Sequence, residues 1–368
     1  MEFSIARNEL LAGLYLAQGV AERRTTIPVL GNILIEADRE QVVVTATDQE
    51  VGVRRSCHAE IRRPGALCTG ARKLYEMVRE LPDVPVLFRL QDNQWIEITC
   101  GRSKFRLVGI DPEEFPAMPA RAGGGAEVRI GGELLAAMIE RTFFAISADE
   151  SRLALNGVYV ETPEPGKLRM VATDGHRLAM VTRPVVSGEL REGVILSRKS
   201  VGEIRKTLEV GEGEVVLAVA DGVAYLERDR VDVSMRLVAA EFPDYRQVIP
   251  SEHRRVLTVR AGDMMAALRR VSVVSSDRTR GVKLTLSEAG VELSSINPEV
   301  GEASEEVDGA FEGEPLSVGF NARYLMDALA LEGPEAEVEL LLNDEVSPGV
   351  LRFREDPDYC YIVMPMRL

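Results

Sequence analysis

The segment Asp174-Gly175-His176-Arg177 places a carboxylate, an imidazole and a guanidinium within four positions. Such groups could exchange protons as general acid and base in a hydrolase. That chemistry would also need a nucleophile or a metal, and the sequence carries no phosphate-binding glycine loop, no HExxH zinc motif and no GxSxG nucleophile elbow. The alternative, an Asp-Gly turn between two strands, is favoured, and no catalytic residue is predicted.

A run of acidic residues in the last third of the chain could be taken for a metal-binding loop. Its members are Glu299, Glu302, Glu305, Glu306 and Asp308. The run lacks the ligand spacing of a calcium loop, so a solvated face or a set of ion-pair partners is favoured. The four cysteines form no CxxC pair and only three histidines occur. We therefore predict no metal, no cofactor and no disulfide framework, as in a cytoplasmic protein.

The overall charge argues against a simple nucleic-acid binder. The 368 residues include 44 Lys and Arg against 59 Asp and Glu, for a net charge of −15. DNA should repel such a chain unless its charge is segregated. Six helical windows, widened to include flanking basic residues (7–24, 71–81, 131–147, 197–209, 260–280 and 321–332), hold 17 basic and 12 acidic residues, whereas the remainder holds 27 and 47. This bias indicates either ordinary exposed helix side chains or one positive face that contacts phosphates without reading sequence.

The chain contains an internal repeat. Ala46-Thr47-Asp48 recurs as Ala172-Thr173-Asp174, and Phe115-Pro116 recurs as Phe242-Pro243, while a third copy is weaker. Each copy has two amphipathic helices and about eight short strands joined by turns, which predicts an α+β fold with antiparallel sheets. We expect three domains, at residues 1–122, 123–251 and 252–368. The predicted helices span residues 7–22, 71–81, 131–147, 197–209, 261–275 and 321–332.

The C-terminal residues Met364-Pro365-Met366-Arg367-Leu368 are unusually apolar for the end of a chain. Methionine side chains repack easily around a bound partner. The segment could instead be a last strand that enters a core. Because Pro365 weakens strand pairing, a surface groove is favoured.

Several motifs together resemble the bacterial sliding-clamp family, the beta subunits of DNA polymerase III. They are Leu30-Gly31-Asn32-Ile33-Leu34, Ala172-Thr173-Asp174-Gly175-His176-Arg177-Leu178-Ala179, Phe242-Pro243-Asp244-Tyr245, Asn297-Pro298-Glu299 and the C-terminal segment. The resemblance implies a non-enzymatic processivity factor. Two three-domain chains would join head to tail as a homodimeric ring whose helices face duplex DNA. The polymerase alpha subunit, the clamp loader and repair proteins would share one apolar pocket as partners.

The resemblance also implies three sets of site residues. The partner-peptide pocket would comprise Leu155, Thr173, Gly175, His176, Arg177, Leu178, Pro243, Val248, Ser347, Ile362, Met364, Pro365 and Met366. His176 and Arg177 would hold the polar groups of the peptide. DNA contacts would come from Arg24, Lys73, Arg152, Arg198 and Lys199, with the loop 147–152. The dimer interface would use the edge strand 103–110, with Arg102, Lys104, Arg106, Val273, Val274, Glu299 and Glu302, joined by Glu305 and Glu306.

The chain departs from the family pattern at residues 149, 153–154 and 247, which are Asp, Leu-Ala and Gln. Aromatic residues at 153–154 or a basic residue at 247 would fit the family better. One further alternative is a repeat-built protein scaffold that has no nucleic-acid role. Such a scaffold would keep the pocket but would need no positive face.

Overall fold

The computed structural model describes residues 1–21, 27–121, 125–276 and 279–367. Six helices occur within these ranges. They are α1 (Arg7–Val20), α2 (Ala71–Arg79), α3 (Gly132–Phe143), α4 (Arg198–Val210), α5 (Ala261–Val271) and α6 (Ala322–Leu329). All six predicted helices are confirmed, and most end a few residues before the predicted bound.

Strands make up most of the remaining regular structure. In chain order they are β1 (Glu2–Ile5), β2 (Asn32–Asp38), β3 (Gln41–Thr47), β4 (Val51–Arg63), β5 (Gly65–Gly70), β6 (Val86–Leu90), β7 (Trp95–Cys100), β8 (Ser103–Ile110), β9 (Ala126–Gly131), β10 (Gly157–Glu161), β11 (Lys167–Thr173), β12 (Arg177–Pro184), β13 (Ser187–Glu189), β14 (Val194–Ser197), β15 (Glu214–Ala220), β16 (Val223–Arg228), β17 (Val231–Arg236), β18 (Arg255–Arg260), β19 (Gly281–Ser287), β20 (Gly290–Asn297), β21 (Gly301–Val307), β22 (Ala310–Glu312), β23 (Leu316–Asn321), β24 (Glu337–Leu342), β25 (Gly349–Phe353) and β26 (Asp356–Val363). Short 3-10 turns lie at Pro28–Gly31, Pro112–Glu114, Leu153–Leu155 and Tyr245–Val248.

The chain folds into two compact units. The first unit comprises Met1–Ala136, Val185–Glu192 and Lys199–Leu237, and the second comprises Ala137–Pro184, Gly193–Arg198 and Val238–Leu368. The predicted central domain, 123–251, is therefore shared between them. The reason is strand pairing: β4 pairs with β17 in the first unit, and β12 pairs with β26 in the second. One sheet therefore joins the first repeat to the central one, and another joins the central repeat to the third.

The first unit is built on one antiparallel sheet. Its thirteen strands follow the order β1-β6-β7-β8-β5-β2-β3-β4-β17-β16-β15-β9-β13. Helix α1 packs on this sheet with Leu10, Leu14 and Ala17 buried. Its Gly13 lies against Cys57 and Val44, where a Cβ would be 3.3 Å from the Cys57 Sγ. The apolar stripe of α1 thus anchors the helix, at about 1.5–3 kcal/mol per buried leucine.

The second unit contains two antiparallel sheets. The larger follows the order β14-β10-β11-β12-β26-β25-β24-β18-β22, and the smaller β21-β20-β19-β23. Helix α5 buries Met264, Leu268 and Val271. The predicted extension of α5 to residue 275 is wrong, because the helix ends at Val271 and Val273 is 79% exposed. Because an exposed valine buries no apolar surface, it does not stabilise a further turn of the helix.

Candidate functional site

The turn between β11 and β12 is built by its own polar side chains. The Asp174 Oδ1 accepts hydrogen bonds from the backbone N–H groups of His176 (2.9 Å) and Arg177 (3.1 Å). The Thr173 hydroxyl donates to the Arg177 carbonyl at 2.6 Å and accepts from the Gly175 N–H at 3.1 Å. This confirms the predicted Asp-Gly turn, in which Asp174 shapes the backbone.

Gly175 is required at the tip of this turn. Its φ is +90°, and a Cβ there would lie 2.9 Å from the Arg152 Nη2. The Arg152 Nη1 donates to the Asp174 carbonyl at 2.8 Å. The turn therefore needs a residue that tolerates positive φ and leaves room for a guanidinium.

All three nitrogens of the Arg177 guanidinium donate hydrogen bonds within the second unit. Its Nε donates to the Asp174 Oδ2 (3.0 Å), its Nη1 to the Asp327 Oδ2 (2.6 Å) and its Nη2 to the Phe144 carbonyl (2.6 Å). Burial lowers the pKa of Arg177, but Tyr361, Asp327 and Asp174 outweigh burial and raise that pKa above its usual value. These three contacts join the turn to α6 and to the end of α3, and the role of Arg177 toward the polar groups of a peptide stays a prediction.

A cavity of about 240 Å³ opens beside the turn. Its walls are formed by Arg152, Leu155, Thr173, Gly175, Arg177, Leu178, Pro243, Asp244, Tyr245, Val248, Ile362 and Met364. Leu178 and Ile362 face each other across the β12–β26 pair and belong to a buried cluster with Val171, Tyr245, Leu341 and Val350. An apolar floor with a few polar groups at the rim suits a small apolar side chain or ligand.

Nine of the thirteen predicted pocket residues line this cavity, and four do not. His176 is exposed, with its ring 6.4 Å from that of Tyr324. The Ser347 hydroxyl is bound to Asp344 at 2.9 Å. Pro365 is absent from the walls, and Met366 borders a second depression with Val346 and Arg367.

Three wall residues were not predicted as pocket residues. The sequence predicts a DNA contact for Arg152 and no site role for Asp244 or Tyr245, although all three line the cavity. The Phe242-Pro243-Asp244-Tyr245 motif was a signal that could have found the last two. The Asp244 side chain caps the 3-10 turn by accepting from the Arg246 N–H, and this turn presents Tyr245 and Val248 to the cavity.

The residues predicted to contact DNA lie in different surroundings. Lys73 on α2 has 82% of its side chain exposed and pairs with Glu76 at 2.9 Å. Lys199 forms an ion pair with the buried carboxylate of Asp48. The guanidinium of Arg198 lies 5.1 Å from the centre of the Phe143 ring. Arg24 lies outside the described residues, and the DNA contacts stay a prediction.

Two strand edges carry charges of opposite sign. β8 pairs along its length with β7, but on its other side β5 reaches only Gly109 and Ile110. Its exposed side chains include Lys104 and Arg106. β21 is the last strand of the smaller sheet and exposes Glu302 and Glu306.

The remaining predicted interface residues differ in accessibility. Arg102 and Glu299 are exposed, as is Val273, while Val274 is half-buried. Glu305 is held within the chain by two hydrogen bonds from Arg270. It is therefore less available to a partner than its neighbours on β21.

The first unit contains a related turn at Asp48, and a methionine of the same chain packs over the strand that follows it. The Asp48 Oδ1 accepts from the N–H groups of Glu50 (2.8 Å) and Val51 (2.7 Å), as Asp174 does in its own turn. Gly52 stands at the repeat position of Leu178, and a Cβ there would lie 2.8 Å from the Met118 Cγ. Met118 thus packs directly over the strand that follows this turn.

In the part of the chain that the structure describes, no group of three or more His, Cys, Asp or Glu side chains could hold a metal ion. None of the described helices is long and apolar enough to cross a membrane.

Family models match nearly the whole chain. They describe the N-terminal, central and C-terminal domains of the DNA polymerase III beta subunit and match residues 1–119, 129–244 and 246–367 respectively.

Similar proteins and structures extend over the full length. The chain is 37% identical over 376 residues to the beta sliding clamp of Caulobacter vibrioides, covering 100% of both chains. It matches the crystal structure of the DNA polymerase III beta subunit of Thermotoga maritima with a TM-score of 0.94 at 31% identity, covering 100% of this chain and 99% of that one. The sliding clamp of Bartonella birtlesii bound to griselimycin matches with a TM-score of 0.94 at 35% identity, over 100% of both chains.

Proposed function

Because this chain belongs to the DNA polymerase III beta-subunit family, the bacterial beta sliding clamps, we propose that two copies close head to tail around duplex DNA and hold partner proteins through the Leu178–Ile362 cavity. Membership of the family makes the chain a DNA sliding clamp, a processivity factor and not an enzyme. The homodimeric ring, the identity of its partners and a cytoplasmic location belong to the proposal. The matched ranges support three domains, with a first bound near 122/123 and a second that the family models place between residues 244 and 246, before the predicted 251/252.

The cavity is the observation that carries the partner-binding part of the proposal. Its floor is apolar and belongs to a preformed buried cluster. A leucine or phenylalanine side chain buried there would contribute about 1.5–3 kcal/mol. The alpha subunit of the polymerase, the clamp loader and repair proteins would each supply such a side chain from a short segment and would compete for the same site.

Confinement explains why an acidic chain can work on DNA. A ring needs no strong affinity, because it cannot leave a closed circle without opening. Charges farther than about 8 Å from phosphate are largely screened at physiological salt, which keeps the contacts weak. The exposed Lys73 and the helix residues Arg198 and Lys199 remain our candidates for such contacts, with Arg24 and Arg152.

Retention on DNA tests the ring. Protein loaded onto nicked circular DNA by a clamp loader should remain bound through gel filtration and should be lost when the circle is linearised. Equal retention on circular and linear DNA would contradict topological binding. Sedimentation analysis should give twice the mass of the 40.5 kDa chain, and a monomer at micromolar concentration would contradict the pair.

Substitution of a cavity residue tests the pocket. Met364 is half-buried in the wall, and its backbone N–H donates to the His176 carbonyl at 2.8 Å, a bond that alanine preserves. Met364→Ala should weaken binding of a labelled peptide carrying adjacent Leu and Phe about tenfold, or about 1.4 kcal/mol. Met366→Ala, whose side chain lies outside these walls, is the matched control. Equal affinity of the two variants would place the peptide elsewhere.

Removal of the C-terminal segment tests whether this segment serves peptide binding or formation of the homodimer. A chain truncated after Val363 should lose peptide and polymerase binding and should still form the homodimer. Loss of the homodimer would instead assign this segment to a structural core. Griselimycin, bound to the Bartonella birtlesii relative, should compete with the labelled peptide if it occupies the same cavity here.

A further inference from the structure

A buried carboxylate lies behind one wall of the cavity. Glu161 is the last residue of β10, is only 9% exposed and is not among the residues that line the cavity. Its Oε1 accepts a hydrogen bond from the Tyr245 hydroxyl at 2.5 Å. Arg246 donates to both of its oxygens, at 3.0 Å and 3.1 Å. The carboxylate thus holds two consecutive residues of the 3-10 turn Tyr245–Val248.

The Tyr245 hydroxyl is used as both donor and acceptor. It donates to Glu161 and accepts from the Arg169 Nη1 at 3.1 Å. Tyr245 is only 3% exposed, and its ring packs beside Phe242 and Tyr159, with ring centres 6.5 Å and 6.4 Å away. One end of the ring is therefore fixed by polar contacts, while its body forms part of the cavity wall.

Burial of the Glu161 carboxylate destabilises the fold unless all of its hydrogen-bond donors are present. A carboxylate withdrawn from water must be compensated by charge-assisted hydrogen bonds. Here a tyrosine hydroxyl and the guanidinium of Arg246 supply them, with that of Arg169 at 3.5 Å. Two of these donors, Tyr245 and Arg246, belong to the turn that carries Val248. Because the carboxylate needs their hydrogen bonds, it fixes the position of that turn against β10.

We propose that Glu161 is a positioning residue for the peptide pocket, which it shapes by fixing Tyr245 and the turn Tyr245–Val248 without touching the bound segment. The inference rests on the proposed function of the cavity as a peptide site. According to this proposal, a residue of β10 that does not line the cavity contributes to the affinity for the peptide. A purely structural network would stabilise the second unit and leave the affinity for peptide unchanged.

A double-mutant cycle tests the proposal in the full-length protein. Glu161→Gln removes the charge, and Tyr245→Phe removes only the hydroxyl and keeps the ring in the wall. Each variant should bind the labelled Leu-Phe peptide about tenfold more weakly than the parent, at a temperature well below its unfolding midpoint. The double variant should be no weaker than the weaker single variant, because both changes break the same contact.

The matched control is Glu164→Gln, on the hairpin that joins β10 to β11. Glu164 has 57% of its side chain exposed and forms an ion pair with Lys167 away from the cavity walls, so this variant should keep the parent affinity. If Glu161→Gln does not fold, Tyr245→Phe and Arg246→Ala carry the test on their own.

Several results would overturn the inference. Parent affinity in the folded Glu161→Gln and Tyr245→Phe variants, with lower unfolding midpoints, would show a structural role alone. Losses that multiply in the double variant to about a hundredfold would show that Glu161 does not act through Tyr245. Failure of the parent protein to bind the peptide at all would overturn the proposed function instead.

Discussion

Gly175 carries two separate constraints, and they can be separated by experiment. Its positive φ strains any L residue, and the Arg152 guanidinium occupies the space next to it. Gly166, in the β10–β11 hairpin, has a similar φ of +80° but has nothing within 4 Å of an added Cβ. Substitution of either glycine therefore strains the backbone, but only a side chain at position 175 would collide with Arg152.

We predict that Gly175→Ala and Gly166→Ala each lower the free energy of unfolding by about 1–2 kcal/mol, the cost of a left-handed conformation in an L residue. Only Gly175→Ala should also weaken peptide binding, because it displaces Arg152 from the cavity wall. Chemical denaturation and peptide titration measure the two effects. Parent affinity in Gly175→Ala would show that the position of Arg152 is unimportant for the pocket.

His253 gives the second unit a pH dependence of defined sign. Burial and the nearby Arg352 lower the pKa of His253 below its ordinary value of 6.5. As the pH falls below 6.5, the unfolded chain therefore takes up this proton before the folded chain does, and stability is lost until the folded-state pKa is passed.

We expect the free energy of unfolding of the parent to fall more steeply than that of His253→Gln between about pH 7 and pH 5. Denaturant titrations across that range measure the difference in slope. His58→Gln, which removes an exposed imidazole from β4, controls for the loss of a histidine. Parallel curves for the parent and His253→Gln would contradict the prediction.

At the scale of elements, Arg177 connects the β11–β12 turn to α6 through Asp327. Arg177 is 7% exposed, so the loss of an anionic partner leaves a buried cation with less compensation. The ring of Tyr324, also on α6, lies 4.5 Å from the same guanidinium. One arginine therefore holds together the turn that borders the cavity and the helix behind it.

Asp327→Asn should lower the free energy of unfolding by about 1–3 kcal/mol and should also weaken peptide binding, because the Arg177 side of the cavity loses its anchor. Glu335→Gln is the control, since it breaks an exposed ion pair with Arg260 that is worth less than about 1 kcal/mol. Denaturation and peptide titration apply to both variants. A similar small effect in both would show that Asp327 is dispensable.

The sequence predicted elements better than it predicted contacts. The apolar stripe of α1 and the alternation of β3 are local patterns, and both elements were found. The Asp-Gly turn was likewise readable from neighbouring residues. The contacts of Glu161 were not, because they join segments separated by 84 and 85 positions. Arg177 lines the cavity as predicted, but its contact with Asp327 could not be predicted, because the two residues are 150 positions apart and lie in different repeats.

At the scale of the whole molecule, the proposed pair depends on complementary strand edges. β8 exposes Lys104 and Arg106, and β21 exposes Glu302 and Glu306. In a head-to-tail pair, β8 of one copy would meet β21 of the other at each of two junctions. Pairing would complete the backbone hydrogen bonds of both open edges and remove a site for aggregation.

Reversing these charges tests the junction. The double variant Lys104→Glu/Arg106→Glu should dissociate into monomers at concentrations where the parent is dimeric, since like charges then face each other. Adding Glu302→Lys/Glu306→Lys to the same chain should restore the dimer. Sedimentation at several concentrations measures both. A parent-like dimer in the first variant would mean that the copies meet elsewhere.

Met118 makes the surroundings of the Asp48 turn in the first unit different from those of the Asp174 turn in the second. It already covers the strand after the Asp48 turn, where Gly52 replaces the leucine that floors the working cavity. In the first unit a methionine of the chain itself covers the strand that follows the turn, whereas the corresponding strand of the second unit borders the cavity. If the Leu178–Ile362 cavity is the peptide site, two partner proteins would compete for one copy, and their relative affinity and concentration would decide which one is bound.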